Sequence, residues 1–372
     1  MPLTLPSPQT AIQIRFATAA DEPQLLTFLD RHWRAGHVFV KQPELFRWQH
    51  GVPGMPAARN LVLGVDDNAE DLFAIQGFIP SRRFDPQLPY NDCCLAIWKI
   101  RDDAGSPGLG LKLYQYLLDQ QRPTMVSVIG LSRMVIPLYR ALRFQVGLFD
   151  HHVFFDRHRS RFEIAYGVPD LSHGQQPDGD SPSRLHSAVT VADVPPSAAQ
   201  AIDELAQAQR PQKSWAYIMQ RYLRHPVYDY RLSWFGREGV SESAFVWRKT
   251  VIGTTAVLRI VDVYGPTAMW PTCGSLFQEL LTGEDAEYLD LYHHGLSGAE
   301  LEAAGFVNRR ATPSLIVPNY FQPYLRQNVE LDYGYRFYGP ATGPVRLFRG
   351  DADQDRPNEP QPFRLFDDSA SG

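Results

Sequence analysis

The chain has 372 residues, 44% hydrophobic and 21% charged, with a formal net charge of −5. That length supports more than one core, so two domains are expected, and the acidic balance argues against nucleic acid as a main partner. Three cysteines without zinc or disulfide spacing, a start with no basic-then-apolar leader and no apolar run of about 18 residues make a reduced, cytoplasmic protein without a membrane span the expectation.

Residues 1–10 are a proline-rich lead. Residues 12–17 alternate apolar and polar as a strand with one wet face does. Thr18 to Asp21 offer caps for a helix that begins near Pro23. An aromatic, mixed-charge stretch around Trp33 and Phe39 follows, then a helix over residues 45–50 that ends at the Gly51–Pro56 break. Residues 60–65 and 71–79 read as the two strands of a hairpin. Arg82 and Arg83 lie in an irregular basic segment after it.

Residues 93–100 form a nearly continuous apolar run, the pattern of a strand covered on both faces. Residues 102–110 hold Gly105, Gly108 and Gly110 with Pro107, so they form no regular element. Leu109, Leu113, Tyr116 and Leu117 then recur at helical spacing. A strand, a glycine loop and a helix make an anion site, because glycines admit close backbone approach and the helix N-terminus presents unpaired N–H groups. The glycine order is not that of a dinucleotide fingerprint, and no Gly-Lys-Ser/Thr follows as in a P-loop. Residues 124–129 read as the next strand. Ser132 stands before a short helix carrying Tyr139, and Arg143-Phe144 makes a turn into another strand. Residues 149–155 suit a strand that closes this first half, with His151 and His152 on opposite faces. No ligand-spaced partner accompanies them, so no metal is expected.

The order Gly105-x-x-Gly108-x-Gly110, then a strand, a tyrosine helix and an aromatic turn, resembles the coenzyme A-binding half of the GNAT acyltransferases over residues 12–155. Gly105 departs from the Arg or Gln usual at that place, Pro107 removes one possible donor, and Arg143-Phe144 replaces Gly-Phe. Past a Pro/Gly/Asp/Ser-rich linker the same grammar restarts at Ala188: a short strand, a capped helix from Asp193, a helix over 215–223 and strands over 228–235, 243–248 and 256–264. A helix over 275–281, a strand over 287–295 and a capped helix ending in Gly305-Phe306 complete it. The fold class is therefore α/β (α+β): two tandem GNAT-like domains, each a mixed, mostly antiparallel sheet flanked by helices. The expected boundaries are 1–166 for the acyl-CoA domain, 167–187 for the linker, 188–348 for a degenerate domain shaping the acceptor pocket, and 349–372 for a disordered tail. The second half has no glycine loop; residues 265–274, with Trp270, stand in its place.

The resemblance implies an N-acyltransferase that uses acetyl-CoA or another short acyl-CoA and no metal. Ile97, Trp98, Lys99 and Ile100 would hold the pantetheine arm along the strand. Gly105, Ser106, Gly108, Leu109, Gly110 and Leu111 would hold the pyrophosphate, with Ser132 nearby. Tyr139 matches the usual acid. For the base, His293 and His294 at a strand end compete with Asp290, Asp262 and Asp92, since histidine titrates near the working pH. A narrower resemblance, in residues 77–80, 96–101 and 107–111, is to tandem-GNAT sugar N-acyltransferases of surface-polysaccharide pathways. It implies a small-molecule acceptor, a dTDP- or UDP-linked amino sugar, held by Trp33 and Trp270 through stacking and by Arg82 and Arg83 through the diphosphate. Other amine acceptors and a non-catalytic acyl-CoA sensor are the alternatives; the sequence assigns no oligomeric state.

Overall fold

The computed structural model describes residues 12–66, 71–104, 106–171, 184–237, 241–318 and 326–353. The chain forms two compact units, residues 1–79 with 95–123, and residues 80–94 with 124–372.

In the first unit, β1 (Ile12–Thr18) pairs antiparallel with β3 (Met55–Asp66), and β3 pairs antiparallel with β4 (Leu72–Pro80). β5 (Asp92–Ile100) is next in order, and Arg101 N–H donates to Phe73 O at 2.8 Å where β5 ends beside the start of β4. The Gly51–Pro56 break is a tight hairpin: β2 (Gly51–Val52) folds back on β3 through Gly54, whose φ of +74° suits glycine. Thr18 and Asp21 form the expected cap ahead of α1 (Glu22–Phe28). Asp21 accepts both N–H groups of the Arg15 fork at 2.8 and 2.7 Å, which holds its carboxyl down at about 2. α2 (Val38–Lys41) and α3 (Pro43–His50) bury Phe39 and Phe46 edge-to-face at 5.4 Å. The buried carboxylate of Glu22 takes Arg47 at 2.7 Å and Arg59 at 3.0 Å, tying α1 to α3 and β3. α4 (Leu109–Gln121) lies on β1 and β3, with Leu109, Leu113 and Leu117 buried, as the helical spacing of its leucines requires.

The second unit carries β6 (Met125–Ile129), α5 (Ile136–Ala141), β7 (Gln145–Leu148), β8 (Asp150–Phe155) and β9 (His186–Ala188). Next come α6 (Pro196–Gln207), α7 (Trp215–Ile218), β10 (Tyr230–Phe235), β11 (Ser243–Ile252) and β12 (Thr255–Tyr264). α8 (Gly274–Glu284), β13 (Tyr288–His294), α9 (Gly298–Ala303), β14 (Val307–Asn308), β15 (Asp332–Phe337) and β16 (Leu347–Phe348) complete it. One run of strands is β14-β8-β13-β12-β11-β10-β9, antiparallel except for β12 and β13, with β16 on the end of β13. In the other, β15 lies between β6 and β7, antiparallel to both. The fold class is as expected: mixed, mostly antiparallel sheets flanked by helices.

Three placements differ from the sequence reading. β8 does not close the first half; it pairs with β13 from Tyr288↔Phe155 to His293↔Asp150. Alternation identifies a strand but not its partner, and both faces of β8 find apolar company, Phe154 in one core and Val153 and Phe155 in another. β15, which the sequence reading passed over, completes the run of β6 and β7. The presumed tail starts as structure: Arg349, Gly350 and Asp351 are buried, and Asp351 meets Lys213 Nζ at 2.7 Å. Residues 354–372 and most of the linker, 172–183, lie outside the described residues.

Candidate active site

The glycine loop connects β5 to α4 inside the first unit. Gly108 takes φ +78° just before α4, a left-handed conformation that L side chains adopt at a cost, and open space surrounds the place where a Cβ would sit. Gly110 is required for the opposite reason. A Cβ there would sit 2.9 Å from Ile100 Cδ1 and 3.2 Å from the Trp98 indole, so the helix start lies directly on the end of β5. Trp98 in turn stacks on Tyr114 of α4 at 6.0 Å. Leu109 N–H donates to Ser106 O at 3.2 Å and Lys112 N–H to Gly108 O at 3.1 Å, while the N–H groups of Gly110 and Leu111 have no backbone acceptor among the described residues. Leu111 is 41% exposed. The turn is flanked by charge: Lys99 meets Asp102 at 3.1 Å, and Arg101 forks onto Asp103, whose carboxyl it holds at about 2. Ile97 is buried; Trp98, Lys99, Ile100 and Ser106 are partly exposed. Gly105 lies outside the described residues. A bare glycine surface, two first-turn donors and a helix dipole form a cradle whose chemistry fits a pyrophosphate, with one donor fewer at Pro107.

Trp33, also in the first unit, is 45% exposed. In the second unit, Ser132 is exposed just ahead of α5, and Tyr139 is buried within α5, edge-on to Phe144 at 5.0 Å. Burial raises the Tyr139 phenol pKa, which keeps it protonated. Arg82 is committed to its own turn, donating to Leu88 O at 2.9 Å and Pro89 O at 3.0 Å. Arg83 is partly buried, and burial, then Arg221, pushes its pKa down to about 10.

Four expected site residues are instead structural. Trp270 is wholly buried, packed at tilted or edge-on angles among Phe235, Phe245, Phe277 and Phe306, with its indole N–H donated to Ser243 Oγ at 2.8 Å. It is the centre of the core, not a surface for a sugar. Asp262 gives one oxygen to Lys213 at 2.6 Å and the other to Lys213, Tyr222 and Tyr264 at 2.8 to 2.9 Å. Burial alone would lower the Lys213 pKa, but Asp262 and Asp351 outweigh it and the ammonium stays charged. Asp92 is held by Arg210, Thr124 and the Gln212 N–H. Asp290 bridges Arg259 at 3.0 Å and His151 at 3.3 Å. Each of these carboxylates is already neutralised in a dry setting, so none is available as the base.

The two histidines part company. His293 is fully buried, its Nε2 2.9 Å from His152 Nδ1, and burial holds its pKa well below the ordinary value. Its pairing with His152 and its full burial set it apart from His294. His294, one residue on, is half-buried; it stacks on Tyr333 at 4.3 Å and shares a 2.8 Å hydrogen bond with that phenol through Nδ1. Burial lowers its pKa, so it is neutral at pH 7. Tyr333, which orients it, was not singled out by sequence; it lies on β15, a strand whose aromatic alternation, Tyr333-Gly-Tyr335-Arg-Phe337, was its only signal.

No family model matches the chain, and no curated protein matches it by sequence. Among solved structures it is similar to a GCN5-related N-acetyltransferase from Anabaena variabilis, with 12% identity over 88% of this chain and 73% of that one and a TM-score of 0.52. It is also similar to a protein of unknown function from Enterococcus faecalis described as a probable N-acyltransferase, with 11% identity, 89% of this chain, 73% of that one and a TM-score of 0.53. The chain thus has the fold of the GCN5-related N-acetyltransferases.

Proposed function

We propose that this protein is an acyl-CoA-dependent N-acyltransferase acting on a small-molecule amine. The β5–loop–α4 unit carries the reading: in a chain of this fold, Gly108 and Gly110 leave a bare helix start whose N–H groups suit a pyrophosphate. Both similar solved structures described above are named as N-acetyl- or probable N-acyltransferases, which supports the same class of reaction. Gly108, Leu109, Gly110 and Leu111 hold the pyrophosphate, with Ser106 leading into the turn. Ile97 to Ile100 hold the pantetheine arm through their backbone. Bound acyl-CoA supplies the acyl group as an activated thioester. His294 takes the proton of the acceptor amine: in the tautomer that places Nδ1–H on the 2.8 Å bond to Tyr333 Oη, its Nε2 keeps a free lone pair. Tyr139, kept protonated by burial, is the acid. The acceptor proposed is the amino group of a nucleotide-linked amino-deoxysugar for surface-polysaccharide synthesis.

The test is release of free thiol from acetyl-CoA with a panel of amines that includes dTDP- and UDP-linked amino sugars. Turnover is expected with an amino sugar. In His294→Gln, kcat should fall by about 10²–10⁴-fold with little change in KM for acetyl-CoA. The wild-type kcat/KM should be flat above about pH 6.5 and fall below it, because the base must be neutral and burial lowers its pKa. Coenzyme A binding without turnover on any amine would instead make the protein a sensor.

A further inference from the structure

Tyr333 of β15 has a seat that only a glycine provides. It pairs across to Gly147 of β7, and a Cβ at Gly147 would lie 2.5 Å from Tyr333 Oη, 2.7 Å from Cζ and 2.9 Å from Cε1. Each of these is closer than a real Cβ contact comes. The φ of Gly147 is not positive, so glycine stands there for space and not for conformation. The phenol ring thus lies across the bare backbone of β7, as aromatic rings cover glycines in antiparallel sheets.

The ring and its hydroxyl are committed at that seat. Phe149 stacks on the ring at 5.3 Å and His294 at 4.3 Å, with interplanar angles of 27° and 29°. Tyr333 Oη and His294 Nδ1 share a hydrogen bond of 2.8 Å, and burial raises the phenol pKa to about 12, so the phenol stays protonated. The backbone of His294 is fixed separately, by pairing with Leu347 of β16. A shift of the Tyr333 ring would therefore disturb the imidazole and not the strand that carries it. The direction of the bond sets the chemistry of the ring. With Nδ1–H donated, Nε2 keeps the lone pair that a base needs; with the phenol donating, Nε2 carries the proton and the ring is an acid.

We propose that Tyr333, seated over Gly147, is a positioning residue: it holds the His294 imidazole with its proton on Nδ1, which leaves Nε2 as the nitrogen that takes the proton of the amine. Gly147 acts through Tyr333, and Tyr333 acts through His294. The catalytic part of this proposal rests on the acyltransferase reading; the tautomer does not.

The experiment is ¹⁵N NMR of the full chain with labelled histidine at pH 7.5, the His294 signals being assigned by their loss in His294→Gln. The wild type is expected to show His294 with a protonated Nδ1 and an unprotonated Nε2. In Gly147→Ala and in Tyr333→Phe both nitrogens should move towards the values of free imidazole, in which Nε2 carries most of the proton. Gly283→Ala, where a Cβ meets nothing within 4 Å, should change neither. In the thiol-release assay Gly147→Ala and Tyr333→Phe should each lose about 10–100-fold in kcat, as a misplaced catalytic group does, with KM for acetyl-CoA within about twofold of the wild type. The double variant should be no slower than either single one, since both act through one bond. Should Gly147→Ala fold poorly, Tyr333→Phe, which leaves the ring in its seat and removes only the hydroxyl, carries the test. A wild-type His294 with its proton on Nε2, or His294 nitrogens that are the same in Tyr333→Phe as in the wild type, overturns the proposal. No thiol release by a wild type whose His294 shows the Nδ1 proton would count against the acyltransferase reading and leave the tautomer assignment standing.

Discussion

Trp270 fills the aromatic core with its whole side chain, and its indole N–H satisfies Ser243. Trp270→Ala should cost about 3–5 kcal/mol, the range for deleting a buried aromatic, read by urea denaturation; a loss under about 1 kcal/mol would mean that the site is not packed as described. The sequence pointed the other way because a tryptophan between prolines in a loop looks like a contact surface, and nothing local shows that the loop is folded over four phenylalanines. His151 makes a second prediction. Its Nε2 faces Asp290 and its Nδ1 faces Arg309, and burial, only partly offset by Asp290, pushes its pKa down to about 4. The unfolded chain takes up a proton near pH 6.5 that the folded ring refuses, so stability is full above about 6.5 and falls as pH drops towards 4, by on the order of 3 kcal/mol from this group. His152, His225, His293 and His294 are shifted in the same direction by burial. Asp351, raised to about 6 by burial, and Asp332, also raised by burial, oppose them over part of that range. Denaturant midpoints should therefore fall from pH 7.5 to pH 5; a rise would contradict the buried, neutral histidines.

At the scale of elements, β15 is the strand on which β6 and β7 depend. Each of them bonds to it, and Gly334 packs so closely that a Cβ would lie 3.3 Å from Val128 and 3.4 Å from Leu131 and Phe144. Gly334→Val should cost about 1–3 kcal/mol by overpacking, measured by chemical denaturation, and a neutral result would argue against β15 in that position. Most elements were legible in the sequence because their signals are local. The apolar run of residues 93–100, the glycines that follow and the leucine spacing of α4 gave strand, turn and helix; Ser297 accepting from Glu300 N–H starts α9 where a cap was expected. Pairings across long separations were not legible. β8 alternates as any half-exposed strand does, and its partners β13 and β14, more than a hundred residues away, fix it in its sheet. Residues 349–351 read as tail because they are polar, yet Asp351 is drawn in by Lys213, and that pairing leaves no mark on the local sequence.

For the whole molecule, the cofactor site proposed is one end of a β-strand and the start of one helix. The candidate site was half legible. The glycine loop announced itself, because bare backbone at a helix start needs glycine. The proposed proton-handling residues could be named from sequence but not ranked, because burial separates His293 from His294 and ion pairing ties up Asp92, Asp262 and Asp290. The central claim, that this chain binds acyl-CoA through the Gly108–Leu111 turn, is tested most directly by calorimetric titration with coenzyme A of the wild type and of Gly108→Val, which puts a branched side chain at φ +78° and into the cradle. The account predicts one coenzyme A per chain, with affinity in the range of about 1 μM to 1 mM usual for enzyme substrates, weakened at least about tenfold in a folded Gly108→Val variant. No binding to the wild type, or equal binding to both, would contradict it.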